Sequence, residues 1–198
     1  MKIILASNSP RRREILSSLG IKFEAVSSDA DESCDIADPA LFAKELALRK
    51  GRAVEKIMAQ RGDCDMSDTL IISADTVVYA AGEILGKPKD DADAHRMLSL
   101  LSDGEHSVIS GICSILGGRA VCAHSETKVT FAPMSENDIC EYIASGEPSD
   151  KAGAYAIQGL ASVFVRKIEG CYFNVVGLPA NLLFELVRDS FGIDIRKQ

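Results

Sequence analysis

The chain has 198 residues, 46% of them hydrophobic and 26% charged, which suits one globular domain spanning residues 1–198 with a sizeable core. Its net charge of −7 argues against a broad nucleic-acid footprint. No apolar run approaches the ~20 residues of a membrane helix, and the opening MKIILAS is too short for a signal peptide.

Ile3, Ile4 and Leu5 read as a short strand. Ser7 to Pro10 is loop chemistry, and RRREILSSLG then reads as a helix with Ser9 as N-cap, Pro10 at its first position and Gly20 just past its end. IKFEAV is expected as a strand and SSDADESCD as an acidic loop. A long helix opens at Asp38-Pro39, and TLIISADTVVYA is a mostly apolar strand that turns at Ala81-Gly82 into EILGKP. A helix over DADAHRMLSLLSDG follows. Two strands then pair through Gly117-Gly118. A helix capped by Ser135, a hairpin of SVFVRKIEG with CYFNVVGLP, and a closing helix over PANLLFELVRDSF complete the chain. Helices alternate with several hairpins, so a mixed α/β sheet is expected. The six cysteines (34, 64, 113, 122, 140 and 171) form no CxxC pair. They read as reduced, mostly core residues of a cytoplasmic protein.

Four features stand out chemically. A strand, a tight loop and a helix N-terminus make an anion site, yet Arg11, Arg12 and Arg13 oppose the helix dipole there. Either they form a solvated basic turn, or one or two of them grip a phosphate. Residues ~100° apart around a helix need not all point inward. Asp75 stands among β-branched residues, where a carboxylate must be paired, hydrogen-bonded or metal-bound. It is either a hydrogen-bonded kink residue or a group that binds a cation or polarises water, with Thr76 able to donate beside it. Lys50 shares a helix face with Leu46, Val54 and Ile57, so it either snorkels to water or serves a site. Lys87, in LGKPKD, is a surface-turn residue or an ammonium aimed at a ligand. Asp31-Glu32 offers a second carboxylate for a Mg²⁺-type ion, or is merely a solvated loop. In DKAGAYAIQG, small residues let backbone approach a ligand, Lys151 adds charge, and Gln158 can read a nucleobase edge.

There is no Walker A motif, no GxGxxG, no nucleophile elbow and no zinc cysteine set. His95, His106 and His124 fall on predicted helix and strand surfaces and take no catalytic role. Carboxylates for a hard cation, cationic side chains for phosphates and a glutamine for a base form the inventory for metal-assisted hydrolysis of a nucleotide phosphate bond.

LASNSPRRREIL, the DADE loop, LRKGRAV, SADTVV, LGKP, DKAGAYAIQG and VRKIEGCYFNVVGLP span roughly residues 2 to 190. Together they resemble the Maf family of nucleoside triphosphate pyrophosphatases. The resemblance implies an elongated mixed sheet with flanking helices and two lobes around a central cleft, as in inosine triphosphate pyrophosphatases, often as a homodimer. It implies cleavage of a nucleoside triphosphate to the monophosphate and pyrophosphate with Mg²⁺ or Mn²⁺. On the acidic balance and the apolar pattern, neither nucleic acid nor membrane is expected as a partner. The IQG motif is similar to that of the dTTP/UTP-preferring branch. By this likeness Arg11, Thr76 and Gln158 fall at specificity positions. Asp75 falls at the general base and, with Glu32, at the metal. Ser7, Arg12, Arg13, Lys50 and Lys87 line the binding site. Two departures stand out: Gly51 where the family often has alanine, which weakens the helix by ~1 kcal/mol, and Ala156 where it often has glycine, which bears on base preference. Alternatives are a house-cleaning enzyme for 7-methyl-GTP or other modified nucleotides, and a nucleotide-binding regulator of cell division and septum formation.

Overall fold

The computed structural model describes residues 1–27, 29–62 and 64–197. Strand β1 (Lys2–Leu5) leads to helix α1 (Pro10–Ser18), the short strand β2 (Glu24–Ala25) and the long helix α2 (Pro39–Arg61). Strands β3 (Thr69–Ala80) and β4 (Glu83–Leu85), helix α3 (Asp91–Leu101) and strands β5 (Glu105–Leu116) and β6 (Arg119–Phe131) follow. Helix α4 (Glu136–Ala144), three short 3₁₀ turns, strand β7 (Val165–Glu169), the short helix α5 (Tyr172–Val176) and helix α6 (Ala180–Phe191) end the chain.

Among the described residues, seven strands form one sheet in the order β2-β1-β3-β5-β6-β7, with β4 paired to β3. β1 runs parallel to β2 and β3, whereas β3–β4 and β6–β7 are antiparallel, so the sheet is mixed as expected. The expected strand over IKFEAV shrinks to Glu24–Ala25, because β2 finds a partner only along Ile4 and Leu5.

The chain divides into two compact units. The first comprises Met1–Asp75, Ser110–Ser125 and Gly177–Gln198. Its core packs Ala47, Val54 and Met58 of α2 against Ile4, Ile71, Cys113 and Ile115 of the sheet. Asp38 caps α2 by accepting from the Leu41 N–H at 2.8 Å, and Pro39 supplies the fixed φ of a first helical residue.

The second unit comprises Thr76–Ile109 and Glu126–Val176. α3 buries Met97, Leu98 and Leu101, and α4 buries Ile139 and Tyr142. His106, expected on a surface, is instead fully packed on β5. Its ring stands edge-on to Phe131 and Tyr155, with Nε2 2.8 Å from the Tyr155 hydroxyl. The stretch CYFNVVGLP, expected as the second arm of a hairpin, instead forms α5 over Tyr172–Val176. A five-residue stretch carries no decisive periodicity, and the helix places Asn174 in the interior. Its Nδ2 donates to the Val108 carbonyl (2.8 Å) and to Thr127 Oγ1 (3.0 Å). All six cysteines are free, and only Cys113 is buried, so the expectation of mostly core thiols is corrected. Among the described residues no helix is long and apolar enough to cross a membrane.

Candidate active site

The first unit collects its charged groups just beyond the C-terminal end of β1 and along the middle of β3. Asp75, on β3, is almost buried. Lys50 on α2 answers it. The ammonium Nζ lies 2.5 Å from Asp75 Oδ1 and 2.7 Å from Glu32 Oε1. One cation therefore joins two carboxylates from separate segments. The two contacts are not equal. Asp75's side chain is 11% exposed and Glu32's 58%, so water screens the Glu32 pair and leaves the Asp75 pair the stronger. The helix around Lys50 is held to β3 by Ser73, whose hydroxyl donates to the Ala47 carbonyl at 2.6 Å. Gly51 makes that approach possible: a Cβ there would stand 2.8 Å from Ser73 Oγ.

The arginine loop is organised by Ser7. Its Oγ accepts from the Ser9 N–H (3.1 Å) and from Arg12 Nη1 (3.2 Å). Arg12 Nε donates to the Gly177 carbonyl at 2.9 Å, so the guanidinium is anchored at both sides. Burial pulls the Arg12 guanidinium below its ordinary pKa. Asp75 opposes that shift, Arg11 adds to it and Glu32 opposes it. Arg12 thus lies within electrostatic reach of Asp75, Arg11 and Glu32. Arg13 turns to the surface, where Nη2 reaches Asn8 Oδ1 at 3.4 Å. Ser9 begins the helix in extended conformation but makes no side-chain cap.

In the second unit Thr76 continues β3, Lys87 sits exposed in the turn after β4, and Gln158 is exposed on the loop after Ala156. This loop is firmly held. Gly153, at φ +67°, donates its N–H to the Gly86 carbonyl (3.0 Å), tying the loop to the Lys87 turn. A Cβ on Gly153 would meet Val78 Cγ2 at 2.7 Å, so both backbone and space require glycine. On the other side, the Tyr142 hydroxyl donates to Glu147 Oε1 (2.8 Å) and accepts from the Ala156 N–H (3.2 Å). Glu147 Oε2 accepts from the Leu160 N–H at 3.1 Å. Gly159 lies directly against that carboxylate, with no room for a Cβ.

The sequence matches the family model for Maf-like protein over residues 2–190. The chain belongs to the Maf family. A relative from Caldanaerobacter subterraneus, a dTTP/UTP pyrophosphatase, is 45% identical over 196 residues, covering 98% of this chain and 91% of the relative. A second, from Thermococcus kodakarensis and of the same name, is 44% identical over 191 residues, covering 96% and 98%. Among solved structures, the Staphylococcus aureus Ham1 protein aligns over 67% of this chain and 72% of its own, at 14% identity and a TM-score of 0.48.

Of the residues singled out in this Maf chain, Ser7, Arg11, Arg12, Glu32, Lys50 and Asp75 gather in the first unit, and Arg13 does not join them. Thr76, Lys87 and Gln158 lie in the second. Sequence reasoning missed the Gly177 carbonyl that aims Arg12, and the Tyr142–Glu147 pair that holds the Gln158 loop. Both are contacts of fold rather than of motif, and no spacing signals them. The donor set at Asp75 and Glu32 fits a hard divalent cation: two carboxylate oxygens already converge on one positive centre, and Mg²⁺ or Mn²⁺ is commonly held by such oxygens with phosphate completing the shell.

Proposed function

We propose that this chain hydrolyses dTTP and UTP to the corresponding monophosphate and pyrophosphate. The observation that carries the reading is the convergence of Asp75 and Glu32 on Lys50 in the electrostatic neighbourhood of Arg12. Near-full-length relatives named dTTP/UTP pyrophosphatase support it.

The chemistry follows from the charges. Arg12, pre-aimed by Gly177 and Ser7, offers a fork to phosphate oxygens with little ordering left to do. Arg11 and the N-terminus of α1 add positive potential for the same anion. Asp75 accepts the proton of the water that attacks the α-phosphorus, and Lys50 holds that carboxylate in place. A divalent cation held by Asp75, Glu32 and phosphate oxygens would supply neutralisation of the charge that builds on the pyrophosphate leaving group. We assign Lys87 to phosphate binding and Thr76 and Gln158 to base preference on their motifs, and the braced Gln158 loop is consistent with a specificity element. We place the enzyme in the cytoplasm, where six free cysteines suit a reducing compartment. We also infer a homodimer without nucleic acid or membrane partners. The exposed Leu160, Val163, Tyr172 and Phe173 offer apolar surface for a second subunit to cover.

A panel of nucleoside triphosphates, assayed with Mg²⁺ or Mn²⁺ for pyrophosphate against orthophosphate release, tests the reading. Pyrophosphate should come chiefly from dTTP and UTP. Release centred on 7-methyl-GTP would keep the reaction and overturn the base preference. Binding of triphosphates without turnover would leave a nucleotide-binding regulator.

A further inference from the structure

Away from these carboxylates, α3 and α4 of the second unit bring three metal-binding side chains to one surface. His95 comes from α3. Glu136 and Cys140 come from α4, four residues apart and therefore on one helix face. His95 Nε2 lies 2.8 Å from Glu136 Oε1, and Cys140 Sγ lies 3.8 Å from the same oxygen. One nitrogen, one sulfur and one oxygen thus all fall within 4.8 Å of one another.

The surroundings orient the ligands. Ser99, one turn along α3, places its Oγ 3.4 Å from His95 Nδ1. With the proton on Nδ1 donated to that hydroxyl, the Nε2 lone pair faces Glu136 and Cys140, the outer-sphere arrangement usual for a metal-bound imidazole. The first turn of α4 is fixed by a reciprocal capping box between Ser135 and Asp138. That occupies the Asp138 carboxylate elsewhere and leaves Glu136 projecting at the helix start.

We propose that His95, Glu136 and Cys140 form a binding site for a divalent transition ion of the Zn²⁺ class, distinct from the all-oxygen set at Asp75 and Glu32. A thiolate with an imidazole selects borderline-soft ions over Mg²⁺, and three protein ligands leave one tetrahedral position for water. Ligand atoms on a tetrahedral zinc stand about 3.3–3.8 Å apart, so closure from the present spacing needs only rotamer adjustment of partly exposed side chains. On binding, the thiol proton passes to solvent and the imidazole coordinates through Nε2. The ion would staple α3 to α4 and raise the stability of the unit that carries Gln158.

Titration of the full chain with Co²⁺ alone tests this. Charge transfer from thiolate to cobalt absorbs in the near ultraviolet, which carboxylate sites cannot produce. One equivalent should develop that band, Zn²⁺ should abolish it, and Cys140→Ser should lack it. His95→Ala should weaken Zn²⁺ binding more than Ser99→Ala does, the latter by about 10-fold. Zn²⁺ should raise the melting temperature of the wild type and not of Cys140→Ser. A wild type without the band, or a band undiminished in Cys140→Ser, overturns the proposal.

Discussion

Gly51 sets helix propensity against packing, and the structure says which wins. In an exposed helix, Gly→Ala stabilises by ~1 kcal/mol. Here the new methyl would stand 2.8 Å from Ser73 Oγ and 3.0 Å from Ile115 Cδ1. The isoleucine end can give way, but the serine hydroxyl cannot turn aside without breaking its 2.6 Å bond to the Ala47 carbonyl. Overpacking costs about 1–3 kcal/mol, and a buried hydroxyl stripped of its partner about 1–3 kcal/mol. The sum exceeds the propensity gain, so Gly51→Ala should destabilise by about 1–5 kcal/mol net. Urea denaturation of the wild type, Gly51→Ala, Ser73→Ala and the double variant reads this directly. In the Ser73→Ala background the alanine should become neutral or stabilising. Stabilisation by Gly51→Ala alone would refute the close approach of α2 to β3. So would an unchanged penalty in the double variant.

Three further outcomes follow from the same geometry. Lys50→Met removes the cation between two carboxylates. It should lower kcat by about 10²-fold while tightening the apparent Mg²⁺ affinity, a pair of opposite changes that steady-state metal titration separates from general damage. Arg12→Lys keeps the charge but loses the fork to Gly177 and Ser7. KM for the triphosphate should rise about 10-fold, with kcat less affected. His106 has its pKa pushed by burial from 6.5 down to about 4. Above pH 6.5 the ring is neutral in both folded and unfolded chains and contributes no pH dependence. As pH falls from there to about 4, only the unfolded chain takes up the proton, so stability drops by about 3 kcal/mol across that window. Denaturation at stepped pH should show this loss in the wild type and not in His106→Asn.

Local signals carried much of this fold. Asp38-Pro39 marks the start of α2 because a side-chain acceptor and a fixed φ act within one turn. The apolar run from Thr69 to Ala80 reads as β3 because few other elements suit it. Asp75 and Lys50 were legible as anomalies, since each is a charge in an apolar pattern. That they would meet was not, because their pairing depends on how α2 lies against β3. The details of that contact, Gly51 on Ser73, likewise appear only in three dimensions. His106 and Asn174 mislead for a common reason. Each is a polar residue whose burial is made tolerable by a distant hydrogen-bond partner, Tyr155 for one and Val108 with Thr127 for the other. The arginine cluster was legible as a conflict with the helix dipole. Its division of labour, Arg12 held inward and Arg13 outward, follows from the Gly177 carbonyl, more than 150 residues away in the chain.

The central claim is that Asp75 drives hydrolysis of a pyrimidine nucleoside triphosphate to pyrophosphate. It is tested most directly by the rate of pyrophosphate release from dTTP in Asp75→Asn, measured at saturating substrate and saturating Mg²⁺ or Mn²⁺. The account predicts a fall of about 10²–10⁴-fold that added metal does not restore. A variant that regains the wild-type rate at high metal would make Asp75 a ligand only and contradict its role as the base.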